Sequence, residues 1–342
     1  MAQSTPIEEL VDPGALGRYL DSHMDDEPGE ARVEAHIAGF SNVTCFVNRN
    51  SNHYVLRRPP AGPLLPTAHD VAREHRFLSA LFGTGARVPR PVLLCEDESV
   101  IGAPFYLMER KYGHVIRNEL PDALDSEGVR QQIGFELIDA LVEIHAVDWR
   151  AVGLTNSRAD EYLERQLKRW NTQAGLTVGM VRELPALAEV GTWLATHRPV
   201  SGEATVVHGD FKLDNVMFAP ASPHRLEAVF DWEMATIGDP LADLGWLMHT
   251  WGRQDNLAED APQPLTAQSG FPTRDELAAR YAEKTGRHMA HFDWYHVLAL
   301  WKLAIILEGL YVHYKTGTAS NPASDAFELQ VPALIRRAQI LM

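Results

Sequence analysis

The stretch Val206-Val207-His208-Gly209-Asp210-Phe211-Lys212-Leu213-Asp214-Asn215-Val216-Met217-Phe218 is the most informative part of the chain. Apolar, strand-like pairs flank a polar loop that holds carboxylates, a histidine and an asparagine. About ten residues on, Ala228-Val229-Phe230-Asp231-Trp232-Glu233 reads as a short apolar strand ending in an acid. Polar residues directly after buried strands project from strand ends, where a rigid scaffold holds reactive groups. Taken alone, Asp210 and Asn215 are explained equally well as a pair that caps its own loop. The whole set, with Asp231 placed after a second strand, favours a site.

Outward from this centre the pattern divides in two. Upstream, Ile7 to Met24 has helical spacing of Leu10, Leu16, Tyr19 and Leu20. From Arg32 to Arg58 the period changes to that of strands. Asn48, Asn50, Ser51 and Asn52 lie between two short apolar runs and predict a hairpin turn. His69 to Phe82 is helical, and Val88 to Cys95 and Pro104 to Met108 read as strands. Downstream, Gly128 to His145 places Ile133, Leu137, Ile138, Leu141 and Ile144 on one helical face. Further helices are predicted over Asp160–Trp170, Val181–Thr196, Leu241–Trp251, Arg274–Lys284, Trp294–Lys315 and Asp325–Leu341. β-type segments at Ala204–Met217 and Leu226–Phe230 interrupt them. The expected organisation is a β-rich N-lobe over residues 1–110 with one helix, and a mainly helical C-lobe over 111–342. A cleft between two such lobes is a preferred small-molecule site.

Composition narrows the classes. The 342 residues are 45% hydrophobic and 23% charged, ordinary for a globular chain with a sizeable core. Forty-six acidic residues against 31 basic ones give a net charge of −15. Such a chain has no general attraction to nucleic acid or to an anionic membrane, so neither is an expected partner. The longest apolar run, Val297 to Val312, is interrupted by Lys302 and Glu308 and reads as a core helix. Cys45 and Cys95 form no disulfide framework and suit a reducing compartment; with no basic, apolar leader pattern, the cytoplasm is the expected location. The 15 histidines lack the tight spacing of a zinc site.

His208-Gly209-Asp210, with Asn215 five positions after the Asp, resembles the catalytic loop of protein kinases and of aminoglycoside phosphotransferases. Asp231-Trp232-Glu233 is similar to the Asp-Trp-Glu that replaces Asp-Phe-Gly in the second group. The resemblance runs from about Arg32 to Tyr314. It is closest to the phosphotransferase domains fused to acyl-CoA dehydrogenases and to their free-standing bacterial relatives. Ser41-Asn42, Leu56-Arg57-Arg58-Pro59-Pro60, Arg73-Glu74 and Gly238-Asp239-Pro240 all look like that subgroup.

The resemblance implies an α+β, protein-kinase-like bilobal fold and transfer of the γ-phosphate of ATP or GTP to a small-molecule hydroxyl. Asp210 would be the catalytic base, and Asn215 and Asp231 hard oxygen ligands for Mg²⁺. Ser41 and Asn42 would cover the nucleotide phosphates. Arg57 would contact them and pair with Glu74. Kinases normally carry a lysine on that strand, so Arg57 is a departure, and Arg58 is an alternative one position away. Backbone groups of Glu109 and Arg110, at the hinge between lobes, would meet an adenine edge. His208 would brace its loop, and Lys212 is read either as a phosphate contact or as a solvated lysine. Asp239 or Asp243 would stabilise the loop, or Asp239 would simply cap a helix. The acceptor is expected to be a hydroxyacyl-CoA-type or an aminoglycoside-like molecule, bordered by the helices after Ala159 and Arg274. For CoA, Arg158, Arg165, Lys168 and Arg169 offer a basic helix face. Two other classes stay open: a catalytically inactive, kinase-like binding protein, and a metal hydrolase using Asp210, Asp231 and His208.

Overall fold

A computed structural model describes residues 7–36, 42–61, 69–156, 158–222, 224–252, 264–318 and 325–342. Ser41 and the rest of the predicted phosphate-covering loop before Asn42 lie outside these residues.

The N-lobe is a five-stranded antiparallel sheet in the order β1-β2-β3-β5-β4. Its strands are β1 (Arg32–His36), β2 (Val43–Arg49), β3 (Asn52–Arg58), β4 (Pro91–Cys95) and β5 (Phe105–Glu109). The predicted hairpin is present: Arg49 pairs with Asn52, and Asn50 takes a left-handed φ of 53° in the turn, which asparagine tolerates better than most residues. The single predicted N-terminal helix is instead two, α1 (Ile7–Leu10) and α2 (Pro13–His23). Pro13 begins α2, and the Asp12 side chain caps it by accepting from Ala15 N at 2.6 Å. Leu16 and Leu20 of α2 are fully buried against Cys45, Leu56 and Phe105 on one face of the sheet. The other face receives α3 (Val71–Leu81), capped by Asp70.

The C-lobe contains α4 (Glu127–His145), α5 (Tyr162–Gly175), α6 (Pro185–Thr196), α7 (Leu241–Thr250), α8 (Arg274–Thr285), α9 (Phe292–Lys315) and α10 (Phe327–Leu341). The predicted β-segment at 204–217 is two strands, β6 (Thr205–Val207) and β7 (Val216–Phe218), with the polar loop between them. β7 pairs with β8 (Leu226–Val229), and β6 pairs with β9 (Thr236–Gly238), a strand too short to be predicted from its own pattern. The two hairpin-like pairs hold the ends of the polar loop and the start of Asp231-Trp232-Glu233 on one scaffold.

One core runs through both lobes. Val55, Phe77, Tyr106 and Met108 of the N-lobe are buried with Ile133, Leu141, Phe211 and Trp232 of the C-lobe. Helices α5, α6, α9 and α10 enclose a second core. At 24 residues α9 is longer than its uninterrupted apolar run, and by length and composition alone it would suffice to cross a bilayer. Two-thirds of its apolar window is buried inside the protein (67%), so its hydrophobicity is spent on the core.

Candidate active site

The polar loop is held from below before any ligand is considered. The Asp243 carboxylate, in the first turn of α7, accepts from His208 N at 2.6 Å and from Gly209 N at 2.7 Å. His145, at the end of α4, approaches the same carboxylate at 3.3 Å and meets the Tyr281 hydroxyl at 2.7 Å. Asp243 is fully buried, and its hydrogen bonds and the neighbouring histidines hold its carboxyl below the usual range despite that burial. Asp239 has the other duty: it accepts from Leu241 N at 3.1 Å at the start of α7 and from the Tyr295 hydroxyl at 2.7 Å. Both alternatives read from the sequence are therefore present, one in each residue.

His208 is fully buried and bonded at both ring nitrogens, to Phe230 O (2.8 Å) and to Asp210 N (3.2 Å). A carbonyl can only accept and a backbone N–H can only donate. Nε2 therefore carries the proton and Nδ1 is the acceptor. The ring ties Asp210 to the strand end that precedes Asp231. Its buried position separates it from direct chemistry.

Asp210 lies between three donors. Trp246 Nε1 donates to Oδ1 at 2.7 Å, Asn215 Nδ2 donates to Oδ2 at 2.9 Å, and Lys212 Nζ is 3.3 Å from Oδ2. The Asp210 side chain is 23% exposed, so the carboxylate faces an opening. Lys212 is thus bound into the loop and also lies 3.6 Å from Asp214. Those carboxylates hold its ammonium pKa above the usual value even though burial acts the other way.

Asn215 also donates from Nδ2 to Asp210 O at 2.9 Å. Both of its partners are acceptors, which fixes the amide orientation and turns Oδ1 away from Asp210. Asp231 follows β8 in a left-handed backbone conformation, φ 66° and ψ 61°. Such a conformation is strained for a residue with a Cβ, by about 1–3 kcal/mol, and persists only where surroundings enforce it. Here Trp232 Nε1 donates to Val229 O at 3.0 Å, and Arg73 of α3 grips the carbonyls of Glu233 (3.0 Å) and Ala235. An Asp carboxylate and an Asn amide oxygen form a hard-oxygen pair suited to Mg²⁺, which ordinarily takes one or two protein oxygens and completes its shell with phosphate and water. Among the described residues no cluster of three or more His, Cys, Asp or Glu offers a competing cage.

Arg57 meets Asp231 from the N-lobe. Its NH2 lies 3.1 Å from Asp231 Oδ1, and its Nε lies 3.3 Å from Glu74 Oε2. The second contact is an ion pair without hydrogen-bond geometry, which leaves Arg57 Nε a buried donor with no acceptor among the described residues. A nucleotide phosphate oxygen is the kind of group that would satisfy it. Arg58, on the opposite face, is bonded to Leu10 O, Pro59 O and Ile101 O, so the strand cation is Arg57. Glu74 is buried on α3, and burial pushes its carboxyl up to about 7 against the pull of Arg57. Asn42 reaches Glu74 Oε2 (3.5 Å) and Glu233 Oε2 (3.4 Å), which puts it at the lobe junction. At the hinge, Glu109 N donates to Arg90 O (2.9 Å) and Arg110 N to His53 O (3.1 Å). An adenine edge at these two residues would therefore meet carbonyl oxygens, because both N–H donors are already bonded.

The structure joins Asp231, Arg57, Glu74 and Asn42 in one side-chain network across the lobes, and Asp210 and Asn215 in a second, tied to the Asp231 strand end by the backbone bond from Phe230 N to Asn215 O at 2.9 Å. Sequence reasoning missed Trp246. It noted Lys302 only as an interruption in an apolar run, and that interruption was the available signal. A cavity of about 730 Å³ opens beside the polar loop at Leu213 and Asp214. It is walled by Trp251 at the end of α7, Leu303 and Leu307 of α9, and Leu334 and Arg337 of α10. None of the basic residues on α5 lines it, and Arg158 pairs with Glu161 instead.

This two-lobed architecture, with an Asp–Asn loop facing a strand-end Asp, defines a kinase-like phosphotransferase. The profile of the phosphotransferase enzyme family matches residues 32–294, and the chain belongs to that family. Acyl-CoA dehydrogenase family member 11 of Gallus gallus is 34% identical over 96% of this chain, and the human protein of that name is 33% identical over 94%. The chain spans only 43% and 41% of their lengths. A Ralstonia eutropha crystal structure named for the aminoglycoside phosphotransferases matches with a TM-score of 0.81 at 31% identity, covering 96% of this chain and 97% of that one. A GDP complex of aminoglycoside 2'-phosphotransferase-IIIa shares the fold, with a TM-score of 0.63 at 14% identity over 97% of this chain and all of the other. The chain is thus a phosphotransferase-family domain of kinase-like fold.

Proposed function

We propose that the protein moves the γ-phosphate of ATP or GTP, with Mg²⁺, to the hydroxyl of an acyl-type acceptor bearing an anionic group, of which a hydroxyacyl-CoA is the model compound. The observation that carries this choice is the cavity beside Leu213 and Asp214. Its walls are largely aliphatic and aromatic, and Arg337 and Arg117 border it. Such a lining suits an acyl chain with a negative appendage better than a polycationic aminoglycoside. The curated relatives, named for acyl-CoA dehydrogenation, point the same way.

In the reaction the acceptor hydroxyl gives its proton to the Asp210 carboxylate. The hydroxyl oxygen bonds to the γ-phosphorus as the bond to the bridging oxygen of the leaving nucleoside diphosphate breaks. Phosphoryl transfer depends mainly on alignment and charge neutralisation. Asn215 and Asp231 would hold the metal, whose contribution is to neutralise phosphate charge. Arg57 adds a fixed cation on the N-lobe side, and Glu74 with Asp231 keeps it there.

The test is an assay with Mg-ATP or Mg-GTP against hydroxyacyl-CoAs of several chain lengths, the free hydroxy acids, kanamycin and simple alcohols. The expected result is stoichiometric diphosphate and a phosphorylated acyl compound, detected by mass spectrometry. Transfer to kanamycin but to no acyl compound would overturn the acceptor class.

A further inference from the structure

The base is held on a side that the reaction scheme leaves unexplained. Trp246 Nε1 donates to Asp210 Oδ1 at 2.7 Å while Asn215 holds Oδ2, so each carboxylate oxygen has its own donor and the plane of the group is fixed. The Trp246 ring is in turn covered by Lys302, whose Nζ lies 4.0 Å from the ring centroid. The same ammonium donates to Gly209 O at 3.1 Å, the carbonyl directly before Asp210, and lies 5.5 Å from the Trp170 ring.

Lys302 is in a costly position. It is partly buried in the middle of the apolar helix α9, and among the described residues its Nζ has no carboxylate within salt-bridge distance. A charge taken out of water without an ion-pair partner is destabilising unless other groups solvate it. Here a carbonyl of the catalytic loop and two indole faces do so. A cation over an indole is attracted to its face and polarises the ring, which strengthens the N–H as a donor. That N–H is the one aimed at Asp210.

We propose that Trp246 and Lys302 are positioning residues for the base: the lysine seats the indole and the loop carbonyl together, and the indole N–H aims the Asp210 carboxylate at the acceptor hydroxyl. This rests on Asp210 acting as the base. Burial pushes the Lys302 ammonium down to about 8, with Asp210 and Asp243 drawing it up and Arg169 and Lys212 drawing it further down. Tyr162 of α5, Tyr295 of α9 and His249 of α7 complete the ionisable surroundings. The cation is present below that pH and lost above it, so the brace weakens as pH rises.

Two variants test the proposal in the full chain. Trp246→Phe keeps the ring and removes the donor; Lys302→Met keeps the length and removes the charge. Each is expected to lower kcat about 10- to 100-fold with the KM for nucleotide unchanged, the size of loss that small misplacements produce. The wild-type kcat is expected to decline through about pH 8, and Lys302→Met to lack that limb. Independently of turnover, the Trp246 indole N–H resonance is expected to move in Asp210→Asn and in Lys302→Met. The proposal is overturned if both variants retain wild-type kcat while Asp210→Asn is inactive. It is equally overturned if kcat and nucleotide affinity fall together with thermal stability, or if the indole resonance stays still. Wild-type protein that transfers no phosphate, with the resonance moving as expected, would sink the phosphotransferase reading and leave the hydrogen-bonded brace standing.

Discussion

The Asp210 carboxylate is held by an indole, an amide and an ammonium while part of its surface stays open, as the proposed base role requires. Asp210→Asn keeps the shape and removes the proton acceptor. Its kcat is expected to fall about 10²–10⁴-fold, the usual contribution of general base catalysis. Nucleotide affinity, measured by calorimetry, should be retained; near-normal turnover would remove Asp210 from the role. Asp231→Ala is expected to abolish the Mg²⁺-dependent part of nucleotide binding, and an unchanged calorimetric affinity for Mg-ATP would contradict a ligand role. Glu74 supplies the pH dependence. Its carboxyl is raised from 4.5 to about 7 by burial, so the folded chain binds this proton more tightly than the unfolded one. The sign follows: the Glu74 contribution to stability is full below about 4.5 and is lost as pH rises through about 7. Pairing with Arg57 needs the ionised form, so kcat/KM for nucleotide should rise over the same window. Glu74→Gln should flatten both profiles, and melting curves and rates recorded across that window would reveal either failure.

Among the elements, α7 does most of the positioning. Asp243 in its first turn receives two loop amides, Trp246 one turn on reaches Asp210, and Gly245 between them brings the helix against α9. A Cβ at Gly245 would lie 2.6 Å from Tyr295 O, closer than backbone can tolerate. Gly245→Ala is expected to push α7 from α9 at a cost of about 1–3 kcal/mol, read as a lower denaturation midpoint. An unaltered midpoint would show that the two helices separate freely. The sequence made α7 visible as a helix, because Leu244, Leu247 and Met248 repeat at helical spacing. It gave no sign that Trp246, on the same helix, points to the loop. The polar loop between β6 and β7 was legible from the apolar pairs on either side of it, whereas the pairing of each short strand was not. Three-residue strands carry too little pattern of their own, and β9 is defined by its pairing with β6.

At the scale of the molecule, the lobes share a core, so the cleft is not a gap between independently folded bodies. Val55, Phe77, Tyr106 and Met108 lose their partners if the C-lobe unfolds. A single cooperative melt is expected, with far-ultraviolet dichroism and tryptophan fluorescence coinciding; two resolved transitions would contradict a continuous core. Saturating Mg-ATP or Mg-GTP should raise the midpoint of that one transition, since a ligand bound at the lobe junction stabilises both lobes, by about 3 kcal/mol at a hundredfold excess over Kd.

The sequence by itself determined the two-lobe order, the hairpin and core helices, and the placing of Asp210, Asn215 and Asp231 in polar segments that follow short apolar strands. Periodicity and the spacing of polar residues after apolar pairs are local properties, and the chain states them directly. Tertiary structure decided which of Arg57 and Arg58 faces the cleft, which acid braces the loop, and where a cavity opens beside that loop. It alone brought Trp246 to Asp210 and Lys302 to the carbonyl before it. Those are contacts between residues tens to hundreds of positions apart, such as Arg57 with Asp231 and Lys302 with Gly209. They depend on how helices and sheets pack, and no local pattern encodes a distance across a fold.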